Sequence, residues 1–181
     1  MKCSATLLLT MCAWILAPVG QGQERQAARF QVVAGRSYEG AIIPATHNLD
    51  WFREPGVTDF WTPTPEDVEV AEELLLAYLT RAVADPRKVV PPLSSVGTMS
   101  PPSSLEELRE LVGSLPRYKR QYVGRAYGDR RRILVNGLHD TLARSWRDRT
   151  FNVIDGGCGY WHLETDVLER RVIRFWCEPS A

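Results

Sequence analysis

Cysteine and histidine are scarce in this chain, four and three in 181 residues, and lysine occurs only at positions 2, 88 and 119. There is no Gly-x-Ser-x-Gly elbow, no phosphate-cradling glycine loop, no His-Glu-x-x-His and no metal-type cysteine cluster. The local signatures of a serine hydrolase, a nucleotide-binding loop and a zinc site are therefore missing, and no motif calls for a cofactor. Charge of neither sign dominates: Lys+Arg and Asp+Glu both number 22, with a pI near 6.8. Such a balance exerts no global pull toward nucleic acid or anionic membrane. Arginine fills nearly every cationic position in all regions, which reads as compositional bias rather than as a design for anions. No internal repeat is visible.

What is present begins with MKCSATLLLTMCAWILAPVGQGQERQ, a lysine followed by an apolar run and then small residues before the first charges. That is the layout of a secretory signal peptide. The apolar run has about 12 residues where a spanning helix needs roughly 20. The expectation is a leader over 1–22, cleaved near Gly20 to Gln23, then one domain over 23–181 with no integral membrane span. Its location would be secreted or periplasmic. A lipid anchor through Cys12 is the minor alternative, because Leu9, Thr10 and Met11 only loosely fit a lipoprotein box.

Cys3 and Cys12 fall in the leader, leaving Cys158 and Cys177 for a compartment that permits disulfides. Two aromatic and branched runs, GYWHLET and RVIRFW, flank a short polar turn and read as a β-hairpin. Centring the turn between Val167 and Leu168 sets Cys158 opposite Cys177, Tyr160 opposite Phe175, His162 opposite Ile173 and Glu164 opposite Arg171. The expectation is a structural disulfide. Cys158 as a nucleophile with His162 as its base is disfavoured, since four strand residues separate α-carbons by about 13 Å.

TPEDVEVAEELLLAYLTRAVA carries Thr64 as N-cap, Pro65 at the first helical position and Asp67 to complete a capping box. A helix over 65–84 follows, with Val68, Ala71, Leu75, Tyr78, Leu79 and Ala82 as its apolar stripe. Residues 86–104 are rich in proline and serine and read as a surface crossing. Ser104 caps a second helix, LEELRELV, which Gly113 and Pro116 are expected to stop. YKRQYVGRAYGDRRRILVNGL reads as a hairpin turning at Gly128 and Asp129, with Val123 opposite Leu134 and Tyr122 opposite Val135. The same register sets Arg125 opposite Arg132, an unfavourable pair unless a longer loop separates them or they splay onto solvent or neighbouring carboxylates. RFQVVAG suggests a strand, residues 36–55 a loop-rich stretch, and 139–150 a loop or a helical turn. The sum is an α+β domain, a long helix packed on an antiparallel sheet of about four strands, cystatin-like or nuclear-transport-factor-like in outline.

FWTPTPEDVEVAEELLLAYL, YKRQYVG, ILVNG and DGGCGYWHLETDVLERRVIRFWCEPSA together resemble small secreted bacterial proteins of uncharacterised function. That resemblance implies one exported α+β domain and assigns no activity or site.

For chemistry, His47 lies near Asp50 in THNLD and His139 is followed by Asp140, the only His–carboxylate neighbours in sequence. His162, Glu164 and Asp155 form the remaining acid–base set, with a Glu164–Arg171 ion pair as the plainer reading. The stretch Arg117–Arg132 interleaves cations with Tyr118, Tyr122 and Tyr127 and is expected to form a solvated basic sheet face, not a nucleic-acid site. Trp51, Phe52, Phe60 and Trp61 make an aromatic loop, either a recognition surface or a lid. The expected function is non-enzymatic binding of a protein or cell-envelope component; the alternative is a hydrolase using His47, His139 or His162 with carboxylates. Convergence of the histidines on one pocket would favour the enzyme.

Overall fold

The computed structural model describes residues 29–88, 102, 104–141, 143–151, 153 and 156–178. The expected leader over 1–22 with Cys12, most of the 86–104 crossing, and Asp155 lie outside the described residues.

Helix α1 (Pro65–Ala84) starts where the capping box requires: Thr64 N–H donates to Asp67 Oδ2 at 2.9 Å and Asp67 N–H to Thr64 Oγ1 at 3.3 Å. Its stripe, from Val68 through Ala82, is buried as the spacing requires. Helix α2 (Leu105–Ser114) is capped by Ser104 Oγ, which accepts from Glu107 N–H at 3.1 Å. It ends at Ser114, between Gly113 and Pro116, where the Ser114 hydroxyl donates to the carbonyls of Glu110 and Leu111.

Among the described residues seven strands, not about four, build the sheet. β1 (Gln31–Ala34) and β2 (Glu39–Ile42) pair antiparallel, then β3 (Asp59–Trp61), β4 (Tyr118–Tyr127), β5 (Arg130–His139), β6 (Tyr160–Asp166) and β7 (Arg171–Cys177) follow in the chain. The sheet order is β1-β2-β4-β5-β6-β7, with β3 also on β4. β2 and β3 divide one edge of β4, β2 parallel along Lys119–Tyr122 and β3 antiparallel along Gly124–Ala126. The sheet is thus mixed rather than purely antiparallel. β2 and β3 are only four and three residues long, which gives too few alternations for the period-2 signal to rise above the turn formers around them.

The β4–β5 hairpin has the expected register, with Tyr122 opposite Val135, Val123 opposite Leu134 and Arg125 opposite Arg132. Gly128 takes φ +66° at the turn, a conformation that favours glycine. The β6–β7 hairpin departs from expectation by three positions: Trp161, not Cys158, faces Cys177, while His162 faces Trp176, Leu163 faces Phe175 and Glu164 faces Arg174. Two local features cause this. Asp166 stays in the strand, its Oδ1 accepting from Glu169 N–H at 3.0 Å, so the loop is 167–170. A bulge at Glu164/Thr165 then inserts Ile173 into β7. An odd slip exchanges the faces of a strand, so Phe175 joins Leu163 instead of Tyr160.

The disulfide forms nonetheless. A 3₁₀ turn at Gly157–Gly159 lifts Cys158 ahead of β6 and brings it to Cys177, with α-carbons 4.7 Å apart.

The two faces of the sheet bury different things. On one, α1 and α2 pack over Tyr122, Ile133, Val135, Trp161, Leu163 and Phe175. Gly137 makes this possible, because a Cβ there would lie 2.0 Å from the Trp161 ring. On the far face, Phe52 and Leu49 from the 43–57 segment and Ala143 and Trp146 from the 143–151 segment cover Val123, Leu134, Tyr160 and Trp176. Gln121 fastens that second segment, donating to the carbonyls of Trp146 and Arg149 and accepting from Phe151 N–H.

Candidate functional site

Alternation along the central strands sends Val123, Arg125 and Tyr127 of β4, Arg132, Leu134 and Asn136 of β5, Tyr160, His162 and Glu164 of β6, and Arg174 and Trp176 of β7 to the far face. These side chains meet under the segment carrying Trp51, Phe52, Arg53 and Glu54. A cavity of about 190 Å³ opens there, lined by those four residues with Arg125, Leu134, Tyr160, His162, Trp176 and Glu178.

Glu164, only 1% exposed, is the anchor. Its carboxylate lies 3.0 Å from Arg174 Nε and 3.6 Å from both Arg132 Nη1 and Arg125 Nη1, and accepts from the Tyr127 hydroxyl at 2.7 Å. The expected Glu164–Arg171 pair is not formed. Arg171 sits opposite Asp166 and pairs with Glu169 at 2.7 Å, because the bulge and loop hand Arg174 to Glu164.

Glu54 reaches down from the covering segment into the same arginines. It pairs with Arg174, lies 3.3 Å from Arg125 Nη1, and hydrogen-bonds Tyr127. Burial alone would raise its pKa, but the bonds from Arg174 and Tyr127 and the charge of Arg125 outweigh that and hold it below the ordinary carboxylate value. Burial and the two carboxylates push the Tyr127 phenol well up, so it is neutral and a donor. Arg132 stacks over the Tyr127 ring at 4.4 Å and Arg174 over Trp176 at 4.6 Å.

On the other wall, His162 is stacked on Trp176 with ring centroids 4.8 Å apart. Nδ1 lies 2.8 Å from Asn136 Oδ1 and Nε2 lies 2.8 Å from Glu178 Oε1, and a neutral ring, carrying one N–H, donates to one of the two. Burial lowers the ring's pKa, partly offset by Glu178. Among the described residues of this face, Arg125 Nε and Nη1, Arg132 Nε, Arg174 Nε, Trp176 Nε1 and Asn136 Nδ2 are buried without a well-aligned hydrogen bond, although Arg125 Nη1 and Arg174 Nε lie at ion-pair distance from Glu54 and Glu164. Arg125 and Trp176 are each 4% exposed and both line the cavity.

The histidines do not converge. His139 is on the helix-covered face, beside Tyr118, with Thr141 Oγ1 and Asp140 Oδ1 each 3.1 Å from Nδ1. It lines a separate cavity of about 280 Å³ with Glu107, Glu110 and Cys158. His47 rests edge-on against Phe30 at 4.9 Å, away from Asp50, whose N–H is taken by Asn48. Among the described residues, no three His, Cys, Asp or Glu side chains gather as a metal group. A third cavity of about 500 Å³, lined by Tyr38, Glu69, Glu72 and Glu73, holds a buried carboxylate already satisfied: Glu72 pairs with Arg120 at 2.9 Å and accepts from Tyr122 at 2.9 Å.

The stretch Arg117–Arg132 is therefore not a solvated basic face. Arg120 and Arg125 are buried on opposite sides of the sheet, each against carboxylates. Of the aromatic loop, Phe52 is core, Phe60 and Trp61 belong to or flank β3 pairing, and Trp51 stands 75% exposed at the cavity rim. Sequence reasoning reached His162, Glu164 and Trp51 but missed Glu54, Arg174, Trp176 and Glu178. The one available signal was Arg125 facing Arg132, since opposed cations on buried strands demand a carboxylate between them.

Comparison with protein-family models, curated proteins and solved structures finds no match to this chain in any of the three.

Proposed function

We propose that this chain is an exported, non-enzymatic binding domain whose far-face cavity receives a small molecule from the cell envelope or its surroundings. The observation that carries this reading is the cavity itself, walled by Phe52, Tyr160 and Trp176 beside Arg53 and Arg125 and rimmed by an exposed tryptophan. At about 190 Å³ the space lies below the roughly 300 Å³ typical of drug-sized sites, so the ligand is small.

Export is supported by the leader-like N-terminus and by the Cys158–Cys177 bridge, which persists in oxidising compartments. Among the described residues no helix is long and apolar enough to cross a membrane. The resemblance to small secreted bacterial proteins agrees with that location.

Binding is favoured over hydrolysis by what the cavity wall offers. It carries no serine, threonine or cysteine, and the Tyr160 hydroxyl is committed to the Phe151 carbonyl at 2.9 Å. His162 is wedged between Asn136 and Glu178, and Glu164 is held by three guanidiniums. A thermal-shift screen of small organic molecules tests the reading. The expected result is a set of ligands that raise Tm in the wild type and lose that effect in Trp176→Phe and Trp51→Ala. A screen with no such ligand, or ester or amide turnover abolished by His162→Ala, would overturn it.

A further inference from the structure

We infer that the ligand of this cavity is a small monocarboxylate with an apolar body, and that the Glu54 carboxylate is its intramolecular stand-in. The inference rests on the binding reading above and names the chemistry of what is bound.

The cationic residues of the cavity wall, Arg53 and Arg125, carry donors only, so an occupant that presents acceptors matches them. A guanidinium is satisfied best by a carboxylate or another oxyanion. The chain already demonstrates which: Glu54, arriving from a covering segment rather than from the sheet, places its carboxylate against Arg174, Arg125 and Tyr127. Those arginines would otherwise have Glu164 alone, three guanidiniums to one carboxylate. The sheet is thus built to take a second carboxylate on this spot, and that carboxylate need not be covalently attached.

Charge on the surrounding walls limits the ligand to one negative charge. Glu164 stays behind the arginines and Glu178 lines the opposite side, so a second charge on the ligand would face two fixed carboxylates. Apart from Arg53 and His162, the remaining lining, Trp51, Phe52, Leu134, Tyr160 and Trp176, is apolar or aromatic. That wall suits a flat or branched hydrocarbon body far better than a sugar or a phosphate. Binding then exchanges Glu54 for the ligand on Arg125 and Arg174 and frees the segment that bears Trp51 to close over the hydrocarbon.

Isothermal titration with benzoate, acetate, benzamide and phenylphosphonate tests this, alongside the indole N–H signal of Trp176 assigned through Trp176→Phe. The expected result is benzoate bound more tightly than acetate, benzamide or the phosphonate, with the Trp176 signal shifted by benzoate. Glu54→Gln, which removes the competing charge, should raise benzoate affinity about tenfold, and Arg125→Lys, which keeps charge but loses the fork, should lower it by about the same factor. Benzamide binding as tightly as benzoate, or an affinity unchanged by Glu54→Gln, would overturn the carboxylate assignment while leaving the binding reading intact. Benzoate failing to bind while the screen yields neutral ligands would do the same, whereas a cavity that binds nothing would remove both.

Discussion

A single buried carboxylate organises the far face, and its removal has a calculable consequence. Glu164 is the common partner of Arg125, Arg132 and Arg174, and the first of these is almost fully enclosed. Glu164→Gln keeps the shape and one acceptor but strands buried positive charge, so unfolding by denaturant should show a loss of about 3–5 kcal/mol. Glu54→Gln should cost clearly less, because Glu54 is the more exposed partner and Tyr127 remains with Glu164. His162 makes the second residue-level prediction. Its folded pKa lies below the ordinary 6.5, so between those values the unfolded chain binds more protons than the folded one. Stability should hold above about pH 6.5 and fall as the pH drops from there toward the folded pKa. Denaturation midpoints at pH 7.5 and 5.5 should show that loss in the wild type and a smaller one in His162→Gln. None of this pairing was legible from residue spacing: Glu164 and Arg174 are ten positions apart, and the shifted loop together with the bulge at Glu164/Thr165 decides that Arg174, not Arg171, meets it.

Elements with dense local signals read correctly from sequence, and short ones did not. α1 begins and ends where its cap and terminal Asp85–Pro86 place it, and the β4–β5 register follows from a two-residue Gly-Asp turn with ten residues of strand on either side. β2 and β3 are held by β4 rather than by their own pattern, so their signal resides in a partner more than sixty residues distant. The β6–β7 hairpin carried the right strands in the wrong register, because side-chain capping by Asp166 and one inserted residue are not periodic features. Arginine abundance, read as compositional bias, conceals the clustering of Arg125, Arg132 and Arg174, which only the sheet brings together. Gly137 gives a prediction at this scale. The Trp161 ring occupies the space a Cβ would need, so Gly137→Ala should overpack the helix-side core and cost about 1–3 kcal/mol, with near-ultraviolet circular dichroism of the tryptophans altered.

At the scale of the molecule, the seven strands among the described residues are enclosed between α1 and α2 on one face and two irregular segments on the other, and the second enclosure is what creates a lined cavity instead of a flat, wet sheet face. The Cys158–Cys177 bridge closes the C-terminal hairpin across a sequence separation of 19 and adjoins the helix-side core. Reducing it should cost roughly 3 kcal/mol in the chain-entropy account and should depress yield when the protein is retained in a reducing cytosol relative to an exported form. The central claim is that the far-face cavity binds a carboxylate through the sheet's arginines, and crystals grown or soaked with benzoate test it most directly. The account predicts benzoate in the cavity, its carboxylate within hydrogen-bonding distance of Arg125, its ring beneath Trp51, and Glu54 moved off Arg174. Benzoate absent from the cavity at saturating concentration, or bound elsewhere with Glu54 still on Arg174, would contradict it.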